Sequence, residues 1–157
     1  IARFVSDLPS DTLVAGLPDD PISNLAWVSG KEVFMTGEMH IPHHRGYLDQ
    51  LRPRLFDFFD AYLAHDVADV LSFADEYRVT HFLVDDRHFG ETPLGYMPPF
   101  GAEVRAVHAQ SLRKGGFALA RLAPSATVVQ RPPFRLLSVA RLKAQAARST
   151  DQDSRPR

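Results

Sequence analysis

The chain has no cysteine. That excludes disulfides, thiolate metal sites and a cysteine nucleophile, and it leaves the compartment open, because a Cys-free chain suits a reducing or an oxidising one. No stretch approaches the roughly 18 consecutive apolar residues that a membrane-spanning helix needs. There is no Lys/Arg-rich block and no basic helix face, and the formal net charge is −1. The long-range field that gathers nucleic acid or anionic lipid is therefore missing, and nucleic acid is not expected as a partner. The strong chemical signatures are absent too: no GxxxxGK[ST] or GxGxxG to cradle a phosphate, no GxSxG to present a serine, no HExxH to place zinc ligands on a helix. Asp151 and Asp153 spell a DxD pattern of the kind that holds a metal beside a sugar nucleotide, but they lie in a polar tail with no core to fix them and are set aside.

What is present is the material of one globular domain: 157 residues, 45% hydrophobic and 24% charged. The expected division is a single α/β domain over residues 1–142 and a disordered polar tail over 143–157, where an Ala-rich stretch gives way to RSTDQDSRPR. The chain starts at Ile1 without Met and without a positively charged leader. A processed form or a fragment of something longer fits this, and the fragment is the reading taken here.

The chain is organised around Asp66 to His88, DVADVLSFADEYRVTHFLVDDRH. Val67, Val70, Leu71, Ala74 and Tyr77 fall at helical spacing, Asp66 is a good N-cap, and the unbroken apolar run Phe82, Leu83, Val84 follows at once. A helix feeding a strand buried on both faces predicts a three-layer α/β fold, with a largely parallel sheet and helices on both faces. Upstream, Phe4, Val5 and Leu8 predict a short helix that Pro9 ends. Residues 12–17 predict a first strand, Ile22 to Val28 a short helix with Trp27 in the packing, and Glu32 to Thr36 a second strand. Leu48, Leu51, Leu55, Phe58, Phe59 and Tyr62 form the widest apolar stripe, read as the main packing helix rather than a cofactor box, with Pro53 inside it. Downstream, Ala102 to Lys114 predicts a helix stopped by Gly115 and Gly116, and residues 117–122 are ambiguous between helix and strand. Thr127 to Gln130 and Phe134 to Val139 predict an antiparallel strand pair at the sheet edge.

If the three early strands are parallel, their carboxyl ends share one rim, where ligands bind in open α/β folds. That rim collects Asp19 and Asp20, then Glu38, His40, His43 and His44, then Asp85, Asp86, Arg87 and His88. Imidazole with carboxylate suits a divalent metal or acid/base chemistry near neutral pH. The structural alternative is that the acids cap helices and the histidines bond backbone. His40 and His43 lack a spacing that forces a metal site. No catalytic residue, metal or cofactor is therefore assigned, and Glu38, His40, His43, His44, Asp85, Asp86 and Arg87 stand as ligand-binding candidates. Tyr96 and Phe100 join them from the long aperiodic loop after the third strand, whose Phe89, Tyr96, Met97 and Phe100 either close over a ligand or fold back as a plug. A receiver-like phosphoacceptor domain also gathers acids at strand ends, but it needs a lysine at the end of a late strand, and Lys114 and Lys143 fall on or beside helices.

The order LPSDTLVAGLPDD, KEVFMTGEMHIPHHRGYLDQLRPRLFDFFDAYLAHD and VADVLSFADEYRVTHFLVDD resembles the segment that follows the last membrane helices in some bacterial polytopic membrane proteins similar to the GT-C glycosyltransferases. The matching positions are Leu8, Pro9, Asp11, Leu13, Val14 and Ala15; Val33, Met35 and Glu38; and Tyr77, Val79, Leu83, Val84 and Asp85. The likeness covers Phe4 to about Asp86, and its motifs are mostly structural. It implies a non-catalytic accessory domain on the extracytoplasmic (periplasmic) face, packed on the membrane-embedded part of its own parent chain or helping to hold an acceptor or lipid-linked sugar. In GT-C enzymes the catalytic carboxylates lie in the membrane portion, so no catalytic residue transfers to this chain. The alternative is a small α/β enzyme or metal-dependent binding protein that uses the acidic, His-rich rim.

Overall fold

The computed structural model describes residues 1–18, 20–40, 45–92, 94–95 and 100–153. The apolar run after Thr80 forms β3 (His81–Asp85), the middle strand of a five-stranded sheet. On one side β3 pairs parallel with β1 (Leu13–Gly16), and β1 pairs parallel with β2 (Glu32–Val33). On its other side β3 pairs antiparallel with β5 (Phe134–Ser138), which pairs antiparallel with β4 (Thr127–Arg131). The order β2-β1-β3-β5-β4 is the expected parallel set with an antiparallel pair at the edge. The β4–β5 turn contains a cis Pro132–Pro133 bond.

Side chains alternate across these strands. Ala15, Phe82, Val84 and Leu137 enter the larger core, whereas Val14, Leu83 and Leu136 enter the smaller one. The smaller core is closed by α1 (Ala2–Ser6) and α2 (Asp20–Ser29) through Val5, Ile22 and Leu25. The larger core is closed by α3 (Arg45–Tyr62), α4 (Val67–Tyr77), α5 (Gly101–Arg113), α6 (Ala118–Ala126) and α7 (Val139–Asp153). Helices on both faces make the three layers. Among the described residues no helix is long and apolar enough to cross a membrane.

Several segments differ from the sequence reading, each for a local reason. The second strand stops at Val33: Phe34 N donates to Val14 O at 2.8 Å, and the chain then leaves the sheet to bury Phe34 and Met35. Phe34 meets Phe73 at 5.0 Å and Tyr77 at 5.1 Å, both edge-on, and the Arg54 guanidinium lies 5.2 Å from its ring centre. That aromatic cluster outweighs two further strand pairs. Trp27, expected in the packing, is 86% exposed, because Ile22 and Leu25 take the buried face of α2. Asp66 has the extended backbone of an N-cap, but its carboxylate makes no cap hydrogen bond. Residues 118–126 are helical, and Leu119 and Ala123, a turn apart, are both buried. Residues 143–153, expected as a tail, continue α7, which is anchored by buried Leu142 and by the Lys143–Asp75 ion pair. Pro53 sits inside α3 rather than at its start, so the Asp49 carbonyl lacks its helical donor. Gly115 and Gly116 end α5 with φ of +107° and +100°, where the Gly116 carbonyl meets His65 Nδ1 at 2.9 Å.

Candidate functional site

Parallel pairing of β2, β1 and β3 brings their carboxyl ends to one rim. Strand β1 has β2 on one side and β3 on the other, so the chain's connections diverge there and open a crevice between β1 and β3, the usual ligand position of open α/β sheets. Leu17 and Pro21 follow β1 into this crevice, Asp85 and His88 close β3, Tyr62 arrives from the end of α3, and Phe134 begins β5. The crevice opens to solvent, and the space among its described lining is about 10 Å³, which is room for one water molecule.

The β3 terminus explains why so little space remains. Asp85 is 4% exposed, and its carboxylate accepts four bonds from Arg87: the backbone N–H at 2.9 Å, Nε at 2.9 and 3.0 Å, and Nη2 at 2.5 Å. Burial pushes the Asp85 carboxyl up, but those hydrogen bonds, with the charges of His88 and Arg87, hold it below the ordinary carboxylate value. The backbone reason is a 3-10 turn, Asp86–Phe89, that starts as β3 ends, so Asp85 caps the turn and Arg87 folds back on it. The Arg87 guanidinium also lies 5.8 Å from the Phe134 ring centre.

Antiparallel pairing supplies the remaining partners. Asp85 stands opposite Phe134 and Val84 opposite Arg135. Arg135 therefore reaches past the strand end to Asp86, with Nε and Nη2 each 2.9 Å from Oδ2. His88 Nδ1 lies 3.0 Å from Tyr62 Oη, and its Nε2 is 3.9 Å from Asp85 Oδ2, beyond hydrogen-bond reach. Burial lowers the His88 imidazole below its ordinary range, with Asp85 opposing and Arg87 reinforcing. Tyr62 and His88 are thus hydrogen-bonded to each other, and Asp85 lies beside His88 but out of its hydrogen-bond reach.

Of the residues picked out from the sequence, Asp85, Asp86 and Arg87 come together here. Glu38 and His40 lie on the 3-10 turn after Met35, while His43, His44 and Tyr96 fall outside the described residues. Phe100 is elsewhere: it is buried edge-on against Phe56 at 5.6 Å, between α3 and α5. Phe89 packs on Tyr62 and Phe117, each at 5.4 Å, so the described aromatics of the long loop are a plug. Among the described residues no group of three or more His, Asp or Glu is placed to share a metal ion. Tyr62, Phe134 and Arg135 were not foreseen. The apolar stripe of α3 marks Tyr62 as core, and nothing local tells that β5 pairs with β3.

An apolar groove of about 180 Å³ adjoins the crevice and shares Pro21, Leu83 and Phe134 with it. Leu25 and Val28 of α2 form its outer wall, and Val28 is 71% exposed.

The fold is similar to the crystal structure of the C-terminal globular domain of an oligosaccharyltransferase from Archaeoglobus fulgidus. The TM-score is 0.50 at 11% sequence identity, and the alignment covers 87% of this chain and 92% of that one. At that identity the likeness is one of fold. No family model and no curated protein matches the chain.

Proposed function

We propose that this chain is a non-catalytic accessory domain of a glycosyltransferase-like membrane protein. It packs on the extracytoplasmic (periplasmic) side against the membrane-embedded part of its own parent chain or helps hold an acceptor or lipid-linked sugar. The observation that carries this reading is the narrowness of the rim crevice among the described residues. An α/β enzyme keeps its crevice open at the strand ends, whereas here Asp85 and Asp86 are each neutralised by an arginine and the space left is about 10 Å³. The fold likeness supports it from a second side, since the neighbour is itself a C-terminal globular domain and nearly all of it is matched. On this reading a ligand at the rim meets the exposed side of Arg87 and the residues Glu38, His40, His43 and His44.

An antibody raised against this chain tests the setting in cells that carry the native gene. The expected result is an epitope in the membrane fraction that external protease destroys in spheroplasts. An epitope in the soluble fraction, or one that protease reaches only after lysis, overturns the proposal. Calorimetric titration of the chain with zinc or manganese separates it from the metal-dependent alternative: no saturable heat is expected, and saturable heat abolished by replacing His40, His43 and His44 with Ala would favour the alternative.

A further inference from the structure

Away from the β3 rim, Arg141, Ala144, Gln145 and Arg148 follow the spacing of one helical face on α7. With Ser125 at the end of α6 they line an open groove of about 240 Å³. Arg141 is held in place there: its Nη1 donates to the Thr127 carbonyl at 2.7 Å, which leaves most of its N–H donors for another acceptor. Arg148 is exposed two helical turns further on, with Ala144 and Gln145 between the two arginines on the same face. No carboxylate is among the groove's described lining. The α4 carboxylate that meets α7, Asp75, is engaged by Lys143 and so does not neutralise either arginine. The Ser125 hydroxyl donates to the Leu122 carbonyl at 3.0 Å, so recognition of an anion falls to the two arginines.

We propose that this groove binds a phosphate group carried on a larger molecule, either a soluble phosphate ester or a lipid headgroup. A carboxylate presents two oxygens, which one guanidinium fork can satisfy. A phosphate presents more and can be shared by two forks. The groove holds more than a bare ion, and two charges are too few to track a nucleic-acid backbone. The site stands independently of the accessory role proposed above and fails or survives separately from it.

The test is a ¹H–¹⁵N NMR titration of the chain with glycerol 3-phosphate, with acetate at matched ionic strength as control, and flotation with vesicles of phosphatidylglycerol or phosphatidylcholine. The Arg141 and Arg148 Nε–H resonances are expected to move saturably with glycerol 3-phosphate and not with acetate. Arg148→Gln, at an exposed position, leaves the spectrum of the fold unchanged and weakens binding about tenfold, the loss of one charge-assisted contact. Flotation with phosphatidylglycerol but not phosphatidylcholine, lost in Arg148→Gln, assigns the phosphate to a lipid; saturable ester binding without flotation assigns it to a soluble compound. Shifts that merely track ionic strength without saturating, or an Arg148→Gln chain that binds as the native one does, overturn the site.

Discussion

His88 shows how burial at the end of β3 makes stability depend on pH. Burial is the chief cause of its lowered pKa, aided by Arg87 and opposed by Asp85. The unfolded chain takes up that proton near pH 6.5, about the ordinary imidazole value, and the folded chain does so only at lower pH. Its contribution is therefore fully present above about pH 6.5 and is lost as pH falls toward the folded value. His81, lowered by burial, acts with the same sign. Asp85 works in a more acidic window, because its lowered pKa stabilises the fold above about pH 4 and that stabilisation is lost as the carboxylate protonates. Urea unfolding midpoints are expected to fall from about pH 7 to about pH 5, and His88→Gln to flatten that slope. An unchanged slope would show that the proton uptake belongs elsewhere.

Single positions also set how elements meet. Gly16 ends β1 where α2 crosses it, and a Cβ there would come within 3.0 Å of the Leu83 carbonyl oxygen and 3.1 Å of Ile22 Cδ1. The first of these is backbone in the central strand and cannot give way cheaply. Gly16→Ala is therefore expected to cost about 1–3 kcal/mol, read from urea unfolding. Arg78 closes α4 in the left-handed region at φ 58°, and Val79 N–H donates to the Ala74 carbonyl. Its side chain is exposed, so Arg78→Gly removes backbone strain and loses little packing. A gain of up to about 1 kcal/mol is expected, visible as a higher thermal midpoint.

Taken as one body, the molecule is lopsided: among the described residues five helices cover one sheet face, while α1 and α2 cover the other. The thinner layer carries Trp27 at 86% exposure with Val28 beside it. Since Trp27 contributes so little to the core, Trp27→Ser is expected to change the chain's own stability by less than about 0.5 kcal/mol, measured by urea unfolding. A larger loss would mean that Trp27 packs in solution after all.

The positions of the three early strands and of the main packing helix could be read from residue spacing, because an unbroken apolar run or a three-and-four-residue stripe reflects local burial, though the second strand is shorter than its apolar run. So could the arrival of Asp85, Asp86 and Arg87 at one strand end. Their partners could not. Tyr62 and Arg135 lie 23 and 49 residues away along the chain. Arg135 reaches the rim because β5 inserts beside β3, and Tyr62 because α3 packs its end against the β3 terminus, and neither docking leaves a local pattern. The two α7 arginines leave no local signal for the same reason: flanked by neutral residues, they form no basic run, and folding alone sets them across a groove from the end of α6. Periodicity records which side of a segment is buried. Which charges end up facing one another depends on how distant segments dock.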